Sequence, residues 1–403
     1  MVWKAHDYMK YQPSSQSVFC TNNIGVNSQL LIIINNLRVF PCACRGPRKQ
    51  SSAGNLRYHP LFIAALIFFS PPFSRHKVST EVSLEALRGF VAADMQAVDR
   101  VIRTRLNSDV LLIRQVAEYI IGGGGKRLRP ILVVLSAGAF GYRGAHHHEL
   151  AAVIEFIHTA TLLHDDVVDE SSLRRGQPTA NSLFGNAASV LVGDFVYSRA
   201  FQMMVQAGDM RILEVLAEAT NVIAEGEVLQ LMNCRNPDID EQGYLKVIRR
   251  KTAKLFEAAT RIGAILGGAD AAQEAAMATY GAHLGTAFQL IDDVLDYSGD
   301  NALIGKNVGD DLAEGKATLP LIYAIKHGTP AQAETVRHAI REGGIGDLDA
   351  VRAASEQTGA LDYARRQARD ESRAACEALA VAPDSIHRRH LYELAEFAVT
   401  RSF

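Results

Sequence analysis

Cysteine is scarce in this chain: there are five in 403 residues, and Cys20, Cys42 and Cys44 all fall before residue 45. Only Cys234 and Cys376 remain for the rest, which excludes a disulfide framework and points to a reducing compartment. The single tryptophan, Trp3, also lies in the first segment. Long apolar runs are missing too. LLIII at 30–34 and LFIAALIFF at 61–69 are too short to span a bilayer and lie too far in for an ordinary signal peptide, so no transmembrane helix is expected. No alternating strand and helix pattern appears, which argues against an α/β sheet, and no short-period repeat is visible.

Acidic residues are nearly absent from residues 1–80. Nine Lys or Arg stand there against Asp7 alone, a balance of +8 that leaves −10 for the remainder. Pro, Ser and Asn are scattered through this segment without periodicity, so residues 1–81 are expected to be a basic, loosely structured extension. Two origins fit: translated upstream sequence, which is favoured, or a targeting segment for an organelle. No methionine occurs between Met9 and Met95, so a later start would use a non-standard codon near Val78 or Val82. From Ser83 onward, apolar residues recur at three and four in LEALRGFVAADMQAVDRVI, SDVLLIRQVAEYII, LEVLAEATNVIAEGEVLQLM and YLKVIRRKTAKLFEAATRI. Breaks are expected at 122–125, 141–144, 177–178, 236–237, 267–268 and 343–346. With 48% hydrophobic residues the whole chain has apolar material for one large domain or two ordinary ones, and the pattern from Ser83 onward is almost wholly helical.

The helical region carries a single acidic pattern twice. Asp165, Asp166 and Asp169 in LLHDDVVDE, and Asp292, Asp293 and Asp296 in FQLIDDVLDYSGD, each place three carboxylates at i, i+1 and i+4 inside an apolar run. That spacing gathers them on one side of a helix, where like charges repel. Where water is scarce the repulsion calls for a hard dication bound through oxygen; magnesium fits, and usually accompanies phosphates. A single copy reads equally well as a solvated helix face, but two copies favour a pair of acidic strips facing one cleft.

Cations stand nearby in sequence. Four glycines precede Lys126, Arg127 and Arg129 in IIGGGGKRLRP, a turn that can hold phosphate; it is not a Walker A loop, since Ile120 and Arg127 occupy positions that motif needs as Gly and as Ser or Thr. Arg174 and Arg175 follow the first strip, and arginine suits bidentate phosphate contacts. Lys251 and Thr252 lie mid-helix, and Lys306 follows the second strip. Each alone is a surface residue; together they supply cations for two diphosphates.

The ordered set GGGGKRLRP, FIHTATLLHDDVVDESSLRRG, GNAASVLVGDF, AEGEVLQLMN, KTAKLFEAA and GTAFQLIDDVLDYSGD resembles the trans-isoprenyl diphosphate synthases, and within them the long-chain enzymes that make quinone side chains. The resemblance runs from about Ser83 to near the C-terminus and implies the isoprenoid synthase fold, a single all-α domain over residues 82–403 with antiparallel helices around a deep central cavity. It implies that Lys126, Arg129, His158 and Arg175 bind isopentenyl diphosphate, with Arg127 as a helper. It makes Asp165, Asp166, Asp169, Asp292, Asp293 and Asp296 the ligands of two or three magnesium ions. Arg174, Lys251, Thr252, Gln289 and Lys306 would contact the allylic diphosphate, farnesyl being the expected primer. Catalysis would rest on Asp165, Asp166, Asp169, Lys251, Asp292 and Asp293: the allylic carbon ionises, the isopentenyl double bond attacks, and the departing diphosphate takes the proton. Small residues at Ala160 and Thr161 leave the tunnel open, with Met204 or Leu216 at its floor, so an eight-unit product is expected, nine or ten units being the alternatives. The His146 to His148 run is expected to be a loop or helix start rather than a catalytic or metal site. A terpene cyclase would carry a different second metal motif, and a non-catalytic helical subunit would be expected to have lost its acidic motifs. A homodimer is expected, in the bacterial cytoplasm, with no nucleic-acid partner and transient membrane contact when product leaves.

Overall fold

The computed structural model describes residues 84–298, 309–343 and 345–401. The expectations for residues 1–81 and for Lys306 therefore lie outside the described residues. Seventeen α-helices carry the described chain. The first half runs α1 Leu84–Phe90, α2 Ala92–Arg105, α3 Leu111–Gly122, α4 Leu128–Ala139, α5 His146–Val168, α6 Ala180–Phe184, α7 Asn186–Gln206 and α8 Met210–Asn233. The second runs α9 Glu241–Ile248, α10 Lys254–Leu266, α11 Ala271–Ser298, α12 Asp310–Ala313, α13 Leu319–His327, α14 Pro330–Glu342, α15 Leu348–Gln357, α16 Ala360–Ala378 and α17 Ile386–Thr400. The all-α expectation holds: among the described residues, the strands are a two-residue pair, β1 Leu173–Arg174 and β2 Gln177–Pro178, antiparallel across the predicted break.

Two long helices organise the bundle. α5 packs along α7 and against α4, while α11 packs along α10 and α16, and α4 crosses α10 to join the two groups. α5 buries Ile154, Phe156, Ile157 and Leu163, and α11 buries Met277, Tyr280, Leu284 and Leu290. Along α11 the buried residues Met277, Tyr280, Leu284, Ala287, Ile291 and Val294 recur every three or four positions, whereas Leu150 to Ile157 of α5 are buried on every side. Glycines allow the closest approaches. A Cβ at Gly281 would lie 2.6 Å from the Phe256 carbonyl, and one at Gly263 2.8 Å from the Val133 carbonyl.

Between α9 and α10 the helix does not simply continue. Residues Arg249–Ala253 form a π-turn, an insertion the apolar period of YLKVIRRKTAKLFEAATRI does not announce. Glycines hold it on both sides. A Cβ on Gly226 of α8 would lie 2.7 Å from the Lys251 nitrogen, and one on Gly285 of α11 would lie 2.6 Å from the Ala253 Cα.

Candidate active site

The two acidic strips end the two organising helices. Asp165 and Asp166 occupy the last turn of α5, with Asp169 at its C-cap. Asp292, Asp293 and Asp296 lie in the last two turns of α11. Unsatisfied carbonyls give a helix C-terminus a partial negative charge, so three carboxylates placed there create a strongly cation-seeking end.

Side-chain cations answer that charge incompletely. Lys251, presented by the π-turn, lies 3.4 Å from Asp165 Oδ2 and 2.5 Å from Glu227 Oε2. Lys316 lies 3.0 Å from Asp169 Oδ2 and pairs with Glu314. Burial pulls the pKa of Lys316 down, but the Asp311, Glu314 and Asp169 carboxylates together hold it above its ordinary value. Since the Asp311 amide donates to Asp296 Oδ2 at 3.3 Å, Lys316 links the first strip to the second. Asp166, 2% exposed, accepts from Arg174 Nε at 2.8 Å and Nη2 at 2.6 Å. Asp166 is thereby committed to Arg174, while Asp165 and Asp169 face lysines that can turn away.

The second strip divides likewise. Asp293 is buried, accepting from Tyr244 at 2.5 Å and from Gln289 Nε2 at 2.7 Å, while the Gln289 carbonyl accepts from Thr252 at 3.0 Å. Burial, then the Asp311 charge, pushes the Asp293 carboxyl far above the usual carboxylate range. Burial also raises Glu227 and Glu314, each to about 7. Asp292 is 42% exposed and pairs with Arg401 at 2.8 Å. Arg401 itself is buried, its guanidinium 3.8 Å from the Phe288 ring centre and bonded to the Phe288 carbonyl at 2.7 Å.

A cationic pocket adjoins Asp292. Arg129 is half-buried, lies 4.5 Å over the Phe256 ring and donates to His158 Nε2 at 3.2 Å, and its buried Nε has no hydrogen-bond partner. Burial, then the Arg129 charge, holds His158 well below its ordinary pKa, so the ring is a neutral acceptor. Burial, then Arg401, lowers Lys126 to about 8. Arg127 and Arg175 adopt left-handed backbone angles, φ 51° and 55°, which side chains other than glycine adopt rarely. Arg127 pairs with Glu155 at 2.5 Å, and Arg175 reaches the Gly124 carbonyl. The glycine run makes room for it: a Cβ at Gly125 would lie 2.7 Å from Arg175 Nη1. Crowded cations at a partly desolvated surface, one with a buried unsatisfied donor, suit a polyanion.

Below the first strip, a small recess between α2, α3, α5 and α7 is lined by Ile102, Ala117, Phe156, Leu163 and Val196, together with the Arg127–Glu155 pair. Ala160, Met204 and Leu216 are buried in the main core, and Thr161 is half-buried, its hydroxyl donating to the His158 carbonyl at 2.8 Å. Sequence reasoning missed Lys316, Arg401, Glu227 and Tyr244. Lys316 had a local signal, lying in GDDLAEGKATLP beyond the second strip; Arg401, 109 residues after Asp292, had none.

An all-α bundle that sets two carboxylate strips beside half-buried lysines and an arginine pocket, above a small and mostly apolar recess, defines a class of enzyme that handles apolar diphosphates. Residues 110–357 match the model of the polyprenyl synthetase family. Octaprenyl diphosphate synthase of Escherichia coli is 56% identical over 321 residues, covering 79% of this chain and 99% of that protein. All-trans-nonaprenyl-diphosphate synthase (geranyl-diphosphate specific) of Rhodobacter capsulatus is 46% identical over 312 residues, 77% of this chain and 96% of that one. A crystal structure of polyprenyl synthase from Caulobacter crescentus, complexed with calcium and isoprenyl diphosphate, superposes with TM-score 0.77 at 49% identity, covering 80% of this chain and 98% of that chain. The chain belongs to the polyprenyl synthetase family and is a prenyltransferase.

Proposed function

We propose that this protein makes octaprenyl diphosphate, for a quinone side chain, by adding isopentenyl diphosphate repeatedly to an allylic diphosphate such as farnesyl diphosphate. The observation that carries the reading is the pairing of two intact acidic strips with cations already in place. Identity of 56% to an octaprenyl synthase, over nearly its whole length, supports the eight-unit product. We assign the activity to residues 82–403.

The donor set fits magnesium. Asp165 and Asp169 on one strip, with Asp292, Asp293 and Asp296 on the other, would hold the ions, which supply positive charge to the departing diphosphate. Lys251 and Lys316, released from Asp165 and Asp169, then face the allylic diphosphate, with Thr252 and Gln289 orienting the same wall. Arg174 steadies Asp166. Lys126, Arg129, His158 and Arg175 hold isopentenyl diphosphate, assisted by Arg127. With charge fixed in a site where water is scarce, the allylic C–O bond breaks, the isopentenyl double bond attacks the allylic carbon, and a proton is lost to the diphosphate. The growing chain descends past Ala160 and Thr161 toward Met204 and Leu216.

No described helix is long and apolar enough to cross a membrane, so membrane contact at product release is proposed as transient. Exposed Leu191, Val205, Val228, Leu231 and Met232 on α7 and α8 support a homodimer. We also propose a bacterial cytoplasmic location.

The test is chromatography of dephosphorylated products from farnesyl diphosphate, labelled isopentenyl diphosphate and magnesium. A dominant eight-unit product is expected; nine or ten units would move the floor of the tunnel. Asp165→Ala should reduce turnover at least about a hundredfold, and retained turnover would overturn the metal assignment. Ala160→Phe should stop elongation early.

A further inference from the structure

The His146 to His148 run opens α5, as its sequence suggested, but the fold brings it a partner from 53 residues earlier. His147 Nε2 lies 3.3 Å from Asp94 Oδ1, and His148 Nε2 lies 2.9 Å from the same oxygen. One ligand atom from each of the three residues falls within 4.8 Å of the others. Two metal bonds of about 2.0–2.1 Å at a tetrahedral angle place their ends roughly 3.3 Å apart, so both distances to Asp94 stand close to the edge spacing of a tetrahedral site.

We propose that Asp94, His147 and His148 form a second metal site, for a borderline transition-metal dication such as zinc, that clamps α2 to the start of α5. The donor chemistry separates it from the acidic strips. Two imidazoles and one carboxylate suit zinc, cobalt or nickel, whereas magnesium prefers all-oxygen sites. Position separates it as well: His147 and Asp165 are eighteen residues apart on one helix, about 27 Å at 1.5 Å per residue. The ligands are held in place. Tyr142 packs edge-on against His147 with ring centres 5.5 Å apart and its hydroxyl accepts from the His146 amide at 3.3 Å, while the two imidazoles lie 3.9 Å apart. The side chains of His147 and His148 are 12% and 19% exposed, so little ordering remains to be done on binding. Asp94 is 38% exposed, which lets water complete the coordination. Bound metal would fix two helices that meet far from the chemistry, a structural role rather than a catalytic one.

The full chain, in excess magnesium to occupy the acidic strips, is titrated with cobalt(II) and followed by visible absorption, then with zinc against a competing indicator. One equivalent per chain is expected, with d–d bands of low-symmetry cobalt and a raised thermal midpoint. His147→Ala and His148→Ala should each weaken binding by more than about a hundredfold, since even the groups that merely orient metal ligands matter ten- to hundredfold. His148→Gln and Asp94→Asn keep volume and guard against misfolding, which circular dichroism and retained prenyl transfer would check. Equal cobalt binding by wild type and all four variants, or no binding by wild type, would overturn the proposal and leave the cluster as two histidines hydrogen-bonded to a carboxylate.

Discussion

Lys126 carries a consequence that its neighbours dictate. Burial, and after it the charge of Arg401, brings its pKa to about 8, so above that pH the free protein loses a cation that a diphosphate needs. Ligand binding favours the charged form, so the loss should appear in kcat/KM, which reports the free enzyme, more than in kcat. The KM for isopentenyl diphosphate is expected to rise by roughly tenfold per pH unit above about 8. Lys126→Arg, whose guanidinium stays charged, should keep KM level over the same range. A pH series of initial rates on both proteins decides it; a flat wild-type profile would mean that Lys126 stays protonated or makes no contact with substrate. His158 belongs to the same logic with the opposite sign. It is neutral already, so acidification to pH 6 should leave its contact with Arg129 intact.

At the scale of elements, the π-turn is where geometry and chemistry meet. It aims Lys251 at Asp165 and Thr252 at Gln289, and it fits because α8 and α11 present glycines against it. Gly285→Ala puts a methyl 2.6 Å from the Ala253 Cα, so the turn must shift. Overpacking of this kind costs about 1–3 kcal/mol, and an ångström of misplacement can cost about a hundredfold in rate. We expect kcat to fall about ten- to a hundredfold while KM for isopentenyl diphosphate, whose proposed site lies on α4, α5 and the loops before α4 and after β1, changes less than about twofold. A variant with full kcat would show that the glycine contact does not set the position of Lys251. The same region marks how far the sequence can be read. Helices α8 and α10 were legible because their apolar residues repeat locally at three and four, and the strips because all three carboxylates of each lie within one turn. The π-turn was not, because its cause is two glycines on other helices. Arg401 was invisible for a related reason: its role depends on α17 returning to Phe288 and Asp292, and nothing near it in the chain encodes that return. Lys316 lies between these cases, close to the second strip in sequence yet defined by Asp169, which is 147 residues away.

At the scale of the whole molecule, the site concentrates negative charge that the fold balances through protons and lysines. Burial raises the Asp293 carboxyl, and raises Glu227 and Glu314 to about 7. An acid whose folded pKa lies above its unfolded value favours the fold while protonated and loses that contribution as pH rises through the folded value. Magnesium must therefore displace protons at acidic pH and finds ionised carboxylates at alkaline pH. Desolvated histidines such as His158 oppose this trend in the absolute stability, since their depressed pKa values make acid destabilising. The difference between midpoints with and without magnesium cancels that contribution, because the histidine is the same in both. A ligand at a hundred times its dissociation constant stabilises by about 2.7 kcal/mol, which for a domain of this size is a rise of a few degrees. The magnesium-induced rise should thus be larger at pH 8 than at pH 6, and Asp293→Asn, which cannot titrate, should narrow the difference. Thermal melts of both proteins at the two pH values, with magnesium or with a chelator, provide the comparison. A rise independent of pH would mean that the ion binds without Asp293, which keeps its proton beside Tyr244.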